Sequence, residues 1–156
     1  MTEEQVDSPE MKETKAAAAV AIKDGKVLLV REEAGSSHLT GMLGIPSGRL
    51  DEGETDLDTA VREFGEETGL TAKREDFMEF SGNIFHASIP RKGGQVVRFK
   101  WHVLRVRNFS GEFGETADNV TPMWVDISEL DRLQDEGKLL PNVFNAVHAA
   151  MKADQK

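Results

Sequence analysis

Apolar residues fall in short runs along the chain, and glycines and prolines mark the breaks between them. KAAAAVAI (15–22) and KVLLVRE (26–32) flank Lys23-Asp24-Gly25. Asp-Gly between two apolar runs predicts a β-hairpin, because Gly tolerates the positive φ of a tight turn. Residues 34–48 are rich in Gly and Ser and predict a loop, with a short strand around Met42 to Ile45. The next segment, 55–69, changes period. Leu57, Ala60, Val61 and Phe64 follow i, i+3, i+4, i+7 spacing, which predicts an amphipathic helix. Thr55 is placed to cap its start with Asp58 as capping-box partner, and Gly69 to stop it. Strand-like patterns return near 76–86 and 95–106, followed by the loop NFSGEFGETADN and the short strand MWVDI. SELDRLQDEG predicts a short helix capped by Ser128, and PNVFNAVHAAMK a last helix with Val143, Phe144, Val147 and Met151 on one face. No internal repeat is visible. This order predicts an α/β chain, with a mixed sheet and helices packed on it.

The length of 156 residues suits one domain over 14–156, with residues 1–13, polar and mostly acidic, expected as a disordered leader. That leader lacks the basic-then-apolar order of a signal peptide. The longest apolar run, Ala16 to Ile22, is too short to span a bilayer. A soluble, cytoplasmic protein without a membrane partner is the expectation. The absence of cysteine excludes disulfides, thiolate metal sites and a cysteine nucleophile. A net charge of −9 argues against a nucleic-acid polymer as partner. It leaves room for a small anionic substrate, because a bound cation reverses the local sign.

The predicted helix carries the candidate chemistry. REFGEETG (62–69) holds three glutamates and an interior glycine, Gly65. Like charges three and four apart repel, and an interior Gly costs about 1 kcal/mol against Ala. On a helical wheel Glu63, Glu66 and Glu67 share an arc about 100° wide, beside the apolar stripe. Carboxylates clustered in this way suit a hard divalent cation, Mg²⁺ or Mn²⁺; an acidic face turned to solvent is the other reading. For Gly65, close approach by a neighbouring strand or loop is the expected reason.

The wider stretch GRLDEGETDLDTAVREFGEETGL (48–70) resembles the Nudix box, G-x5-E-x7-R-E-U-x-E-E-x-G-U, where U is a bulky apolar residue. Gly48, Glu54, Arg62, Glu63, Glu66, Glu67 and Gly69 match every fixed position, and Phe64 and Leu70 fill the apolar slots. A chance match at a given start is on the order of 10⁻⁸. The resemblance implies a Nudix-type α/β/α sandwich. It implies a hydrolase of a diphosphate linkage in a nucleoside diphosphate derivative: a nucleoside triphosphate, a nucleotide sugar or an ADP-ribose-like compound. By position it makes Glu63, Glu66 and Glu67 metal ligands, with the Gly48 carbonyl as a further one, and Arg62 with Glu54 a brace between loop and helix. Glu63 is one candidate general base. Asp118, six residues before Trp124, and Glu115 are others from the later loop, unless that loop is only an acidic surface. Arg31 and Arg49 are candidate phosphate donors; Arg31 reads equally as an edge-strand charge, and Arg49 as solvent-facing. Phe85, His86, Trp101 and His102 are candidate pocket walls, with core packing the competing role for Phe85 and Trp101. His38 and His148 have no assigned partner. Ser47 and Leu43 depart mildly from the family pattern, which often has Gly and an aromatic there.

A Nudix-fold nucleotide sensor without catalysis is the alternative, although such modules usually carry a degraded box. The isoprenoid isomerase reading needs a cysteine that this chain lacks, and RNA decapping would want a basic surface. His86 stands where ADP-ribose-cleaving relatives often carry Pro. The particular substrate and the oligomeric state, a homodimer included, are left open.

Overall fold

A computed structural model describes residues 13–36, 38–116 and 119–153. The leader expected over 1–13 lies outside the described residues except for Glu13, whose carboxylate meets His86 Nδ1 at 2.5 Å. The hairpin forms as its sequence demands. Strand β1 (Thr14–Lys23) turns into β2 (Lys26–Glu32) through Asp24 and Gly25, at φ 53° and 76°. Positive φ at both central residues matches the twist of the flanking strands.

The remaining strands are β3 (Leu43–Gly44), β4 (Ser47–Arg49), β5 (Phe77–Met78), β6 (Ile84–Pro90), β7 (Val96–Val106) and β8 (Val120–Asp126). They form one mixed sheet of order β3-β2-β1-β7-β5, with β4 added to β1, β6 to β7 and β8 to β2. Among these strands only β1 and β7 pair with each other in parallel, from Thr14 opposite Phe99 to Ala21 opposite Val106. Helix α1 (Asp56–Thr68) covers one face; α2 (Leu130–Asp135) and α3 (Val143–Ala153) cover the other. This is the α/β/α sandwich expected from the resemblance.

Strand β1 explains why both faces need cover. Ala16 to Ala21 are all buried. Ala17, Ala19 and Ala21 pack with Ala60 and Phe64 of α1, while Ala16, Ala18 and Val20 pack with Val143, Ala146 and Val147 of α3. A strand buried on both faces reads as a continuous apolar run rather than an alternation. Helix α1 starts at the expected capping box: Asp58 N donates to Thr55 Oγ1 (3.1 Å) and Thr55 N to Asp58 Oδ2 (3.0 Å). It stops at Gly69, φ 80°, whose N–H donates to Gly65 O.

Four local expectations are corrected. The segment 76–86 is not one strand: a 3₁₀ turn (Arg74–Asp76), β5 and a turn precede β6. Asn83 fixes the break, donating to Val103 O (3.0 Å) and Glu79 Oε1 (2.6 Å). Ser128 does not cap a helix; its N–H donates to Asp126 Oδ1 (3.1 Å), and a 3₁₀ turn (Ile127–Glu129) leads into α2. An aspartate that accepts from the N–H two residues on favours such a turn. The buried stripe of α3 is Val143, Ala146, Val147 and Ala150, with Phe144 and Met151 only half-buried, because small residues let the helix lie close to the sheet. Finally, nothing crowds Gly65: an added Cβ would meet only Leu70 O, at 4.0 Å.

Candidate active site

The site is assembled where β4 runs into the loop before α1. Arg62 grips Glu54 with two bonds, Nε to Oε2 (2.7 Å) and Nη2 to Oε1 (2.9 Å). Glu54 Oε1 also accepts from Asp51 N (2.8 Å) and Thr59 Oγ1 (2.7 Å). Bonding to Arg62, then to Asp51 and Thr59, pulls the Glu54 carboxyl down to about 2. Arg62 does more than brace that loop. Its Nη1 reaches Glu63 Oε2 (2.9 Å) and Glu66 Oε1 (3.2 Å), and its Nη2 the Arg49 carbonyl (3.3 Å). One guanidinium therefore orients three of the box's carboxylates.

The backbone of β4 fits closely around the helix glutamates. A Cβ on Gly48 would lie 2.1 Å from Glu63 Oε2, so only glycine leaves room for that carboxylate. Ser47 N donates to Glu67 Oε1 (3.0 Å), so the backbone of this mild departure from the family pattern is part of the site. Glu63 and Glu67 are each 7% exposed and line a cavity of 530 Å³ that also holds Arg49. Glu66 stands apart, its side chain 39% exposed and outside the lining. Among the described residues no three His, Asp or Glu side chains converge on one point, so the expected trio is arranged as two inside and one beside. The donor set still fits a hard divalent cation. Glu63 and Glu67 bring buried carboxylate oxygens to one cavity, the donor type such an ion prefers.

The other candidates separate clearly. Arg49 does line the cavity, its guanidinium carbon 5.6 Å from the Phe99 ring centroid. Arg31 does not: it pairs with Glu33 (2.9 Å) at 46% side-chain exposure. Nor is it an edge-strand charge, because β2 pairs with β8 on one side and with β1 and β3 on the other. Glu115 is exposed and off the cavity, on a loop held to α1 by Gly114 N donating to Thr68 O (3.2 Å). Asp118 lies outside the described residues, although Asn119 and Val120 beside it line the cavity. Trp101 is both core and cavity wall, and Phe85 packs against the core. His148 lies against the Phe144 ring.

Two charged cavity residues, Glu32 and Arg91, escaped the sequence reading, and His38, left there without a partner, lines the cavity too. Burial first, then Arg91 and Arg49, push His38 down to about 4, so its imidazole is neutral at pH 7. A lone carboxylate continuing the apolar run of β2 was the one available signal for Glu32.

His102 proves to be an anchor rather than a wall. Its Nδ1 meets Asp56 Oδ2 at 2.6 Å and its Nε2 meets Glu79 Oε1 at 2.8 Å, tying β7 to the first turn of α1. Burial lowers its pKa, but the bonds to Asp56 and Glu79 outweigh it and raise the pKa overall. A raised folded-state pKa stabilises the fold fully below the unfolded value of about 6.5, and that contribution is lost as pH rises through the folded value. The stability difference between wild type and His102→Gln should therefore be larger at pH 6 than at pH 9. Urea midpoints at the two pH values measure it, and an unchanged difference refutes the charged bridge.

Comparison with known proteins agrees with this geometry. The family model described as the NUDIX domain matches residues 12–144. An oxidized purine nucleoside triphosphate hydrolase of Danio rerio is 32% identical over 111 residues, 71% of this chain; the match spans only 65% of that relative's length. An RNA pyrophosphohydrolase of Sphingopyxis alaskensis is 29% identical over 132 residues, 76% of this chain and 80% of that protein. The crystal structure of a MutT protein from Methanosarcina mazei shares the fold, with a TM-score of 0.71 at 18% identity over 96% of this chain and 100% of that one. With an intact box folded as a loop braced to a helix, and a family match over most of its length, the chain belongs to the Nudix hydrolases.

Proposed function

We propose that the protein hydrolyses a diphosphate linkage in a small nucleoside diphosphate derivative, with Mg²⁺ or Mn²⁺ as cofactor. One observation carries this reading: Glu63 and Glu67 are buried against the β4 backbone in the same cavity that Arg49 lines. Glu63, Glu66, Glu67 and the Gly48 carbonyl would hold the cation. Bound there, it would neutralise diphosphate charge and supply a water of lowered pKa as the nucleophile. Arg49 would donate to a phosphate oxygen, while Arg62 keeps Glu63 and Glu66 in position. Of the described base candidates, Glu63 lines the cavity and Glu115 does not, so Glu63 is the assigned proton acceptor. The net charge of −9 favours a small substrate over a polymer, and lack of cysteine suits the cytoplasm. The Danio and Sphingopyxis relatives, named for a nucleoside triphosphate and for RNA pyrophosphohydrolysis, support a phosphate anhydride as the bond attacked.

A panel of nucleoside triphosphates, nucleotide sugars and ADP-ribose, assayed with Mg²⁺ and again with EDTA, tests the proposal. Release of phosphate, pyrophosphate or a nucleoside monophosphate should require the metal. Cleavage that persists in EDTA refutes the metal role; nucleotide binding without cleavage favours the sensor.

A further inference from the structure

One row of residues across the sheet meets helix α1 at two points. Ala17 of β1 lies opposite Gly48 of β4 on one side and opposite His102 of β7 on the other. Gly48 leaves the room that the Glu63 carboxylate fills. Two strands away in the same row, His102 Nδ1 meets Asp56 Oδ2 at 2.6 Å, in the first turn of α1. Asp56 and Glu63 stand seven residues apart on that helix, a rise of about 10 Å. From β7 across β1 to β4 is two strand spacings, also about 10 Å. The row thus matches the helix segment that lies on it, with one contact at each end.

Between these ends Ala60 packs on the alanines of β1. Methyl groups make shallow ridges, which resist sliding along a helix axis less than long side chains do. The capping box ties α1 to its own leading loop, whereas His102 ties its start to the sheet. The imidazole is itself held, because Nε2 meets Glu79 Oε1 at 2.8 Å and Asn83 donates to the same oxygen.

We propose that His102 is a positioning residue: through Asp56 it sets where α1 lies along the row, and so where the Glu63 and Glu67 carboxylates stand against the β4 backbone. This rests on the reading of those carboxylates as cation ligands. Neither His102 nor Asp56 lines the cavity, so both act on it through the helix. Small displacements matter there, because metal–ligand distances tolerate only about 0.2 Å.

Calorimetric titration of Mn²⁺ into the full chain, without nucleotide, tests the assignment without needing turnover. His102→Ala and Asp56→Ala should each weaken Mn²⁺ binding roughly tenfold, the scale on which groups behind a metal ligand act. The double variant should bind as either single one does, because the two residues make one contact. Asp56→Asn keeps an oxygen for the ring N–H and should restore most of the affinity. Arg74→Ala removes an exposed tie to Asp58 in the same helical turn, from outside the row, and should leave Mn²⁺ binding unchanged. Should His102→Ala fail to fold, the Asp56 and Arg74 variants still decide. Unchanged affinity in His102→Ala and Asp56→Ala, or an equal loss in Arg74→Ala, overturns the positioning role and leaves the hydrolase reading standing. If the wild type binds no Mn²⁺, the metal site and its positioning fall together.

Discussion

Glu67→Gln is expected to lower kcat for anhydride cleavage on the order of a hundredfold or more while the fold survives. The substitution isolates charge from shape. Glutamine keeps the volume of Glu67 and the oxygen that accepts from Ser47 N at 3.0 Å, so the contact between β4 and α1 persists. The negative charge that a hard cation requires is lost. Because Glu67 is 7% exposed, water cannot easily take over the missing ligand. The apparent Mg²⁺ requirement should rise along with the fall in rate. Steady-state rates over a Mg²⁺ titration, with circular dichroism as the folding control, measure both. A variant as active as wild type at the same Mg²⁺ would remove Glu67 from the metal site.

Gly69→Ala should give the largest loss of stability of any single methyl added to this helix. Gly69 sits at φ 80°, where a side chain is strained, and its Cβ would lie 2.4 Å from Gly114 N and 2.8 Å from Gly114 Cα. Both obstacles are backbone, so no side chain can swing aside. Left-handed strain and forced displacement of a packed loop together cost roughly 2–5 kcal/mol. That is a large share of the 5–15 kcal/mol typical of a domain. Activity should fall too, because the displaced loop runs toward Asn119 and Val120 at the cavity. Urea denaturation reads the stability term, and a loss below about 1 kcal/mol would show that the loop yields freely. Gly65, four residues earlier, offers the contrast: its surroundings are open.

That contrast marks what the sequence makes legible. The left-handed stop at Gly69, the capping box and the Asp24-Gly25 turn are local, and each follows from the chemistry of a few neighbouring residues. The glutamates of α1 are legible for the same reason, since a helix fixes the directions of residues three and four apart. Arg62's hold on Glu63 and Glu66 is local as well, but its five donors admit several partners and only coordinates choose among them. The shared place of Glu32, His38 and Arg91 was hidden for another reason. They come from β2, the loop after it and the residue that follows β6, and only backbone pairing brings them to one wall. The break within 76–86 depends on Asn83 reaching Val103, twenty residues away, which no local window contains.

The parallel register of β1 with β7 also sets a timetable. Residues 14–23 leave the ribosome long before 96–106, the strand that pairs with them over eight positions. At typical synthesis rates the delay is about 4–16 s. Over that interval the alanine-rich strand has the brief hairpin contact with β2, the short pairing with β4 and one face for α1, but no partner for its long edge. A nascent chain that waits so long for its central partner has a high contact order and depends on holding an uncharged segment soluble. The acidic residues ahead of it, Glu3, Glu4, Asp7, Glu10 and Glu13, put negative charge next to that segment from the first moment of its emergence.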